Sequence, residues 1–188
     1  LLSTPASDLI AKGGFIQVAD APEIRISLGE IAKALAGAKG YDLPEGMKPG
    51  LEALHYFEPS NLAYSNGCHI AEVEVDPDTG AVHSDHYVVV NDSGRIVNPV
   101  IAEGQLRGGV VHGIGNALFE WMGYDEDAQP VVTTFADYLL PTSSVVPNIE
   151  IHHMAHPTPY NPIGVKGIGE SGTIAAVATI ISAVENAL

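Results

Sequence analysis

The sequence predicts an α+β fold: mixed sheet segments, a glycine-rich helix and a buried C-terminal helix. Three stretches carry that expectation. Residues 67–98 read as β, with partial alternation on either side of the tight-turn signal Asp76-Pro77-Asp78-Thr79-Gly80. Residues 99–121 have helical length but contain Gly104, Gly108, Gly109, Gly113 and Gly115. Residues 173–184 form an apolar run that reads as a buried helix. With 188 residues, 46% of them apolar, the chain can bury a core as one domain or as two small lobes. It divides into a small helix/strand segment with a connecting loop, 1–60, and a larger lobe, 61–188.

The elements follow in order. Phe15-Ile16-Gln17-Val18 is a short strand after Gly13-Gly14. Ser27 and Glu30 form a capping box that opens a helix over about 28–37, with Leu28, Ile31, Ala32 and Leu35 on one face and Gly37 and Gly40 ending it. Residues 41–62 hold several Pro and Gly and read as a loop. Cys68 to Val75 and Ala81 to Val90 make a hairpin around the aspartate-rich turn, and Tyr87-Val88-Val89-Val90 looks buried. Asn91-Asp92-Ser93-Gly94 reads as another turn, and Asn98-Pro99 starts the glycine-rich helix. Each interior glycine costs a helix up to ~1 kcal/mol against alanine, so such a density implies close packing on another backbone or a ligand. Residues 130–140 are expected to be extended, Ile149 to His152 a short strand, and 156–162 a proline-rich loop.

The charge excludes some functions. Acidic residues number 23 against 8 basic ones, a formal charge of −15, which argues against a nucleic-acid partner. No apolar run approaches the roughly 18 residues of a membrane span, and no leader peptide is visible. The lone Cys68 excludes an internal disulfide, fits a reducing, cytoplasmic compartment, and is expected to be a small buried hydrophobe. The start at Leu1-Leu2-Ser3 suggests a processed product or a piece of something longer.

Four places invite a chemical reading. Gly164-Val165-Lys166-Gly167-Ile168-Gly169-Glu170-Ser171-Gly172 sets one carboxylate in a glycine loop just ahead of a helix start that favours anions. Glu170 is thus a general-base candidate, or equally a solvated glutamate that complements the helix dipole. Gln105, among glycines, suits hydrogen bonding to a polar ring system such as a pterin, or is a plain surface glutamine. His152, His153 and His156 invite a metal reading, but His152 and His153 point to opposite faces of a strand and no Cys or carboxylate joins them. Asp76 and Asp78 lack the glycine and the closing glutamate of a calcium loop, so a plain hairpin is expected. No protein-held metal is therefore expected.

Several segments in a fixed order resemble a known family. They are Ala71-Glu72-Val73-Glu74-Val75-Asp76 with Thr79-Gly80, Val90-Asn91-Asp92-Ser93-Gly94-Arg95-Ile96-Val97-Asn98-Pro99, and Glu103-Gly104-Gln105-Leu106-Arg107-Gly108-Gly109 with Gly113-Ile114-Gly115. Tyr138-Leu139-Leu140-Pro141-Thr142, Pro162 to Glu170 and the last helix complete the set. The set resembles the C-terminal part of the molybdenum-binding large subunit of the xanthine oxidase family, in the style of aldehyde oxidoreductases and aerobic carbon monoxide dehydrogenases.

That resemblance implies a fragment of a molybdopterin-binding domain, with the cofactor often in its cytosine dinucleotide form in bacteria. It implies that Glu170 is the general base beside molybdenum, with water as the oxygen source. Gln105 matches a glutamine that hydrogen-bonds the cofactor, and Lys166, Gly167, Gly169 and Ser171 belong to the same cofactor-binding set. The metal would be held by the pterin dithiolene. A 2Fe–2S cluster and FAD would sit on partner subunits or domains, and the substrate would be a small molecule (an aldehyde, carbon monoxide or an N-heterocycle). Family large subunits are several times longer, so this chain is expected to be inactive alone and to expose surface, the glycine-rich helix above all, that the rest of the subunit covers. The alternatives are a non-catalytic assembly lobe that binds a partner subunit and, more remotely, a His-bound metal hydrolase.

Overall fold

A computed structural model describes residues 1–36 and 49–188. The chain forms two compact units, Leu1–Phe57 and Glu58–Leu188. The first unit is a three-stranded antiparallel sheet with one helix: β1 (Leu9–Lys12), β2 (Phe15–Val18), β3 (Ala21–Ser27) and α1 (Leu28–Leu35). The expected capping box is complete, with Glu30 N–H donating to Ser27 Oγ at 3.1 Å and Ser27 N–H to Glu30 Oε2 at 2.9 Å. Strands β1 and β3 were not legible, because β1 is only four residues long, β3 carries Pro22, and neither buries a full face. The expected ends of α1 at Gly37 and Gly40 lie outside the described residues, as does part of the 41–62 loop.

The second unit holds β4 (Asn66–Val75), β5 (Val82–Asp92), α2 (Pro99–Leu118), β6 (Asn148–His153), α3 (Ser171–Ile174) and α4 (Ala176–Ala187). Its sheet runs β4-β5-β6, antiparallel across the hairpin and parallel between β5 and β6, so α2 lies in the crossover that parallel pairing requires. Asp76 closes the hairpin with its own side chain, accepting from Asp78 N–H at 2.9 Å and Thr79 Oγ1 at 2.6 Å. Asp85 is an extra residue on β5, where the register jumps from His86 opposite Glu72 to Ser84 opposite Val73. The core face carries Tyr87, Val89 and Ile149, covered by Leu106, Val110, Ile114, Ala176 and Ile180 from the helices.

Three expectations need correction. Cys68 is exposed, because β4 turns His69, Ala71, Val73 and Val75 inward and leaves Cys68 and Ile70 outside. Residues 130–140 form turns and no strand: Thr134 accepts from Asp137 and Tyr138 backbone N–H groups, and Tyr124 makes an isolated bridge to Pro130. The last helix is broken at Ala175 into a four-residue turn and a longer helix, so the glycine loop does not lead into one long dipole. No described helix is long and apolar enough to cross a membrane.

The glycines of α2 divide by face. A Cβ on Gly109 would lie 2.9 Å from Gly172 Cα, and one on Gly172 would strike the Leu106 carbonyl oxygen. One on Gly113 would strike Ala176 Cβ. Backbone therefore meets backbone where α2 crosses α3, and Thr173 Oγ1 donates to the Gly109 carbonyl at 3.1 Å across the seam. Gly104 and Gly108 face open space. The expected uncovered surface of α2 is thus the side bearing Val100, Gly104 and Gly108, while the seam side is already packed.

One buried ion pair locks the glycine loop to the sheet. The Asp92 and Lys166 side chains are only 6% and 14% exposed, with Nζ 2.7 Å from Oδ2. Gly94 and His156 N–H groups donate to Asp92 Oδ1 at 2.9 and 3.2 Å. Burial opposes the Asp92 charge, but the Lys166 hydrogen bond, the two N–H donors and Lys166's positive charge outweigh it and hold the carboxyl at about 2. Around it, Lys166 N–H donates to Ser93 O at 2.9 Å, Ser93 Oγ to Gly167 O at 3.0 Å and Asn91 Nδ2 to Ser93 Oγ at 2.7 Å.

Two measurements check this packing. Gly172→Ala overpacks the seam and is expected to lower unfolding stability in urea by about 1–3 kcal/mol, whereas Gly104→Ala is expected to raise it by up to about 1 kcal/mol through helix propensity. A lowered Asp92 pKa contributes stability above its unfolded value, roughly 3.9. That contribution is lost as pH falls from about 4 toward about 2. Stability titrated over this window should fall less steeply in Asp92→Asn than in the parent.

Candidate functional site

The loop and the glycine-rich helix meet at one point. Gln105 Nε2 donates to the Gly169 carbonyl at 3.1 Å, although 64 residues separate them. Gln105 sits one turn before Gly109 on the α2 stripe that packs against α3, so the seam that closes the core also delivers this amide to the loop. Its Oε1 and second N–H remain for another partner. Glu170 follows directly, exposed, and its side chain does not cap the short helix it precedes. Its main-chain carbonyl does accept, from Thr173 and Ile174 N–H at 3.0 and 3.1 Å. The backbone of Glu170 is thereby held while its carboxylate faces outward.

The neighbouring glycines have different reasons to be glycine. Gly164 has φ +72° and lies against Pro157, so turn geometry and space both demand it. Gly167 and Gly169 have no positive φ, and an added Cβ would meet nothing closer than 4.0 Å, at Ala63 O and Gln105 Nε2 respectively. Among the described residues, nothing excludes a side chain at these two positions. They form an open floor over which another group can approach the main chain.

The remaining expected site residues are partly committed. Lys166 spends its ammonium on Asp92. Gly167 uses both main-chain groups, donating to Ala63 O at 3.2 Å and accepting from Ser93 Oγ. Ser171 Oγ lies 2.7 Å from Ser65 Oγ, beside a cavity of about 110 Å³ lined by Ser65, Asn66, His69, Asn91, Ser171 and Ile174. His69 Nδ1 lies 2.9 Å from Tyr87 OH. Burial lowers the His69 pKa, the Ser171 backbone pulling it weakly back, and burial pushes Tyr87 up to about 12. Of this supporting layer, Lys166 and Ser171 were expected from sequence, whereas Ser65, His69, Tyr87, Asp92, Ser93 and Asn161 were not. Asn161 brackets Val165 by two hydrogen bonds of 2.8 and 3.0 Å, but its only sequence signal was a proline-rich loop.

A second cleft, about 240 Å³, opens between the loop and the start of α2, lined by Ile96, Val97, Ile101, Val165 and Ile168. The three histidines do not converge. His152 Nε2 pairs with Glu150 at 2.7 Å, His153 turns both ring nitrogens inward without a partner, and His156 Nδ1 lies 3.4 Å from Asp92. Among the described residues, no group of three or more His, Cys, Asp or Glu has the placement to hold a metal ion. The open glycine floor, the half-used Gln105 amide and the outward carboxylate fit the edge of a flat, hydrogen-bonding cofactor better than a protein-held ion.

Comparison with known proteins points the same way. The molybdopterin cofactor-binding domain family matches residues 1–147. The large subunit of nicotine 6-hydroxylase from Paenarthrobacter nicotinovorans is 42% identical over the whole chain, which spans 23% of that subunit. The large chain of carbon monoxide dehydrogenase from Hydrogenophaga pseudoflava is 37% identical over 77% of this chain and 18% of its own length. The crystal structure of quinoline 2-oxidoreductase from Pseudomonas putida 86 superposes over the whole chain with TM-score 0.87 and 40% identity, covering 24% of that structure. The chain thus spans about a quarter or less of the relatives it matches, and it belongs to the molybdopterin cofactor-binding domain family of xanthine-oxidase-type large subunits.

Proposed function

We propose that this chain is the C-terminal molybdopterin-binding portion of a molybdenum hydroxylase large subunit, with Glu170 as general base. The observation that carries the reading is the pair Gly167 and Gly169, which no described residue requires to be glycine, next to Gln105 and an outward carboxylate. When bound, the molybdopterin supplies the two-electron oxidant for a carbon centre that gains its oxygen from water. Glu170 takes the proton from that oxygen nucleophile as it attacks. Gln105, steadied by Gly169, offers its remaining amide groups to the pterin edge. Gly167 and Gly169 admit the cofactor to the main chain, Ser171 holds the loop from below through Ser65, and Lys166 acts through Asp92.

The rest of the large subunit supplies the opposite wall. A 2Fe–2S cluster and FAD on partner subunits carry the electrons away, the cofactor has the cytosine dinucleotide form, and the complex works in the cytoplasm. Alone, the chain is inactive. Relatives named for nicotine and quinoline are 42% and 40% identical over the whole chain, against 32% for a carbon monoxide dehydrogenase structure over 99% of it, which supports an N-heterocycle over carbon monoxide as substrate.

One observation favours the assembly-lobe reading as well. Val97, Val100 and Ile101 are 74, 82 and 68% exposed at the rim of the 240 Å³ cleft, an apolar surface suited to covering by other polypeptide. Co-expression with the remainder of the subunit and elemental analysis separates the two: a complex without molybdenum or pterin supports assembly alone.

Two variants test the enzymatic reading in the assembled enzyme. Glu170→Gln is expected to retain molybdenum and lose about 10²–10⁴ of turnover; near-normal turnover with the metal retained overturns the base assignment. Gly169→Val is expected to leave the melting temperature within about 2 °C while pterin and molybdenum content fall severalfold. Full cofactor content in that variant removes the open floor from the site.

A further inference from the structure

We propose that Asp92 is a positioning residue for the loop that presents Glu170. The inference rests on the base assignment made above and adds a residue outside it. Asp92 ends a core strand and is among the most buried polar residues of the chain. Its carboxylate reaches three segments at once: Gly94 in its own turn, His156 after β6, and Lys166 four residues ahead of Glu170. All three of these hydrogen bonds are 3.2 Å or shorter.

The tether joins the base of the loop, where Lys166 N–H also donates to Ser93 O, Ser93 Oγ to Gly167 O and Gly167 N–H to Ala63 O. Before Lys166, the chain is pinned by Asn161 to Val165 and by the Gly94–Val165 bridge. After Gly167, Ile168 packs against the core, Gly169 O accepts from Gln105, Ser171 Oγ meets Ser65 Oγ, and Gly172 and Thr173 join the α2 seam. Gly167 and Gly169 add backbone freedom at that very stretch. A carboxylate bonded to two N–H groups and one ammonium is a stiff anchor, because each donor restricts a different direction. Asp92 touches neither the loop tip nor the outward face of Glu170, so its action on the reaction runs through Lys166.

A structural role alone predicts a different result from a positioning role. If the pair only avoids a lone buried charge, removing both charges together restores the parent behaviour. If the pair is a tether, the uncharged pair is as loose as either single variant. The test uses the assembled enzyme carrying Asp92→Asn, Lys166→Met, or both, with Glu170→Gln alongside. Hydrogen exchange at residues 167–171 is read together with kcat per bound molybdenum and KM.

The expected result is exchange at 167–171 faster by about tenfold, with β5 unchanged, in Asp92→Asn and in the double variant. Turnover per molybdenum should fall by up to about a hundredfold while KM stays within about twofold. If Asp92→Asn does not assemble, the double variant carries the same expectations. Parent-like exchange and turnover in the double variant overturn the positioning role. Inactive Glu170→Gln beside a normally active, normally protected Asp92→Asn overturns it while leaving the base assignment standing. Normal turnover in Glu170→Gln overturns the base assignment, and the exchange measurement then decides the tether by itself.

Discussion

Backbone contact between α2 and α3 is the constraint on which the second unit depends. Gly109 and Gly172 approach so closely that neither position has room for a Cβ, and Gly113 meets Ala176 in the same seam. Helices usually cross at 8–10 Å with side chains interleaved; here main chain replaces side chain at the crossing. The helix-propensity cost of several glycines is offset by burial of Leu106, Val110 and Ile114 against Tyr87, Val89 and Ile180. The same closeness brings Gln105 within hydrogen-bond reach of Gly169. Packing and site are thus one arrangement, because a looser seam would separate the amide from the loop.

The loop itself is rigid at its base and open at its tip. Asp92, Lys166, Ser93 and Asn161 tie residues 161–167 to the end of β5, all in a poorly hydrated layer where charge-assisted bonds count for more than at the surface. Beyond Gly167, Gly169 and Glu170 are exposed, while Ile168 packs against the core and Ser171 turns to Ser65. Such a gradient suits a surface that must hold one carboxylate in place while another molecule lies across the glycines. It also explains why Lys166, four residues before Glu170, makes its strongest contact away from it.

The histidines illustrate how a strand distributes neighbouring side chains. His152 and His153 are adjacent in sequence, yet one pairs with Glu150 outside the sheet and the other is turned inward. His156, past the strand end, falls beside Asp92. Proximity in sequence therefore gave no convergence, which leaves the glycine loop and Gln105 as the place where polar groups from distant elements meet.

Much of this was legible in the residues alone. The Ser27–Glu30 capping box, the Asp76–Gly80 turn, the Asn98-Pro99 helix start and the strand before the proline-rich loop are local signals, set by contacts within a few residues, and all appear in the structure. The glycine density of α2 foretold a close approach, but not which glycines are buried and which are open, since that depends on the rotation of the helix against α3. The exposure of Cys68, the break at Ala175 and the turns of 130–140 were misread because partial alternation and apolar runs do not specify which face finds a partner. Sequence by itself determined the run of hairpin, glycine-rich helix, short strand and apolar C-terminal helix, and placed Glu170 in a glycine loop. Only the tertiary structure decided that Gln105 meets Gly169 and that Asp92 holds Lys166, because those bonds join residues 64 and 74 positions apart, and nothing but the packed core brings them together.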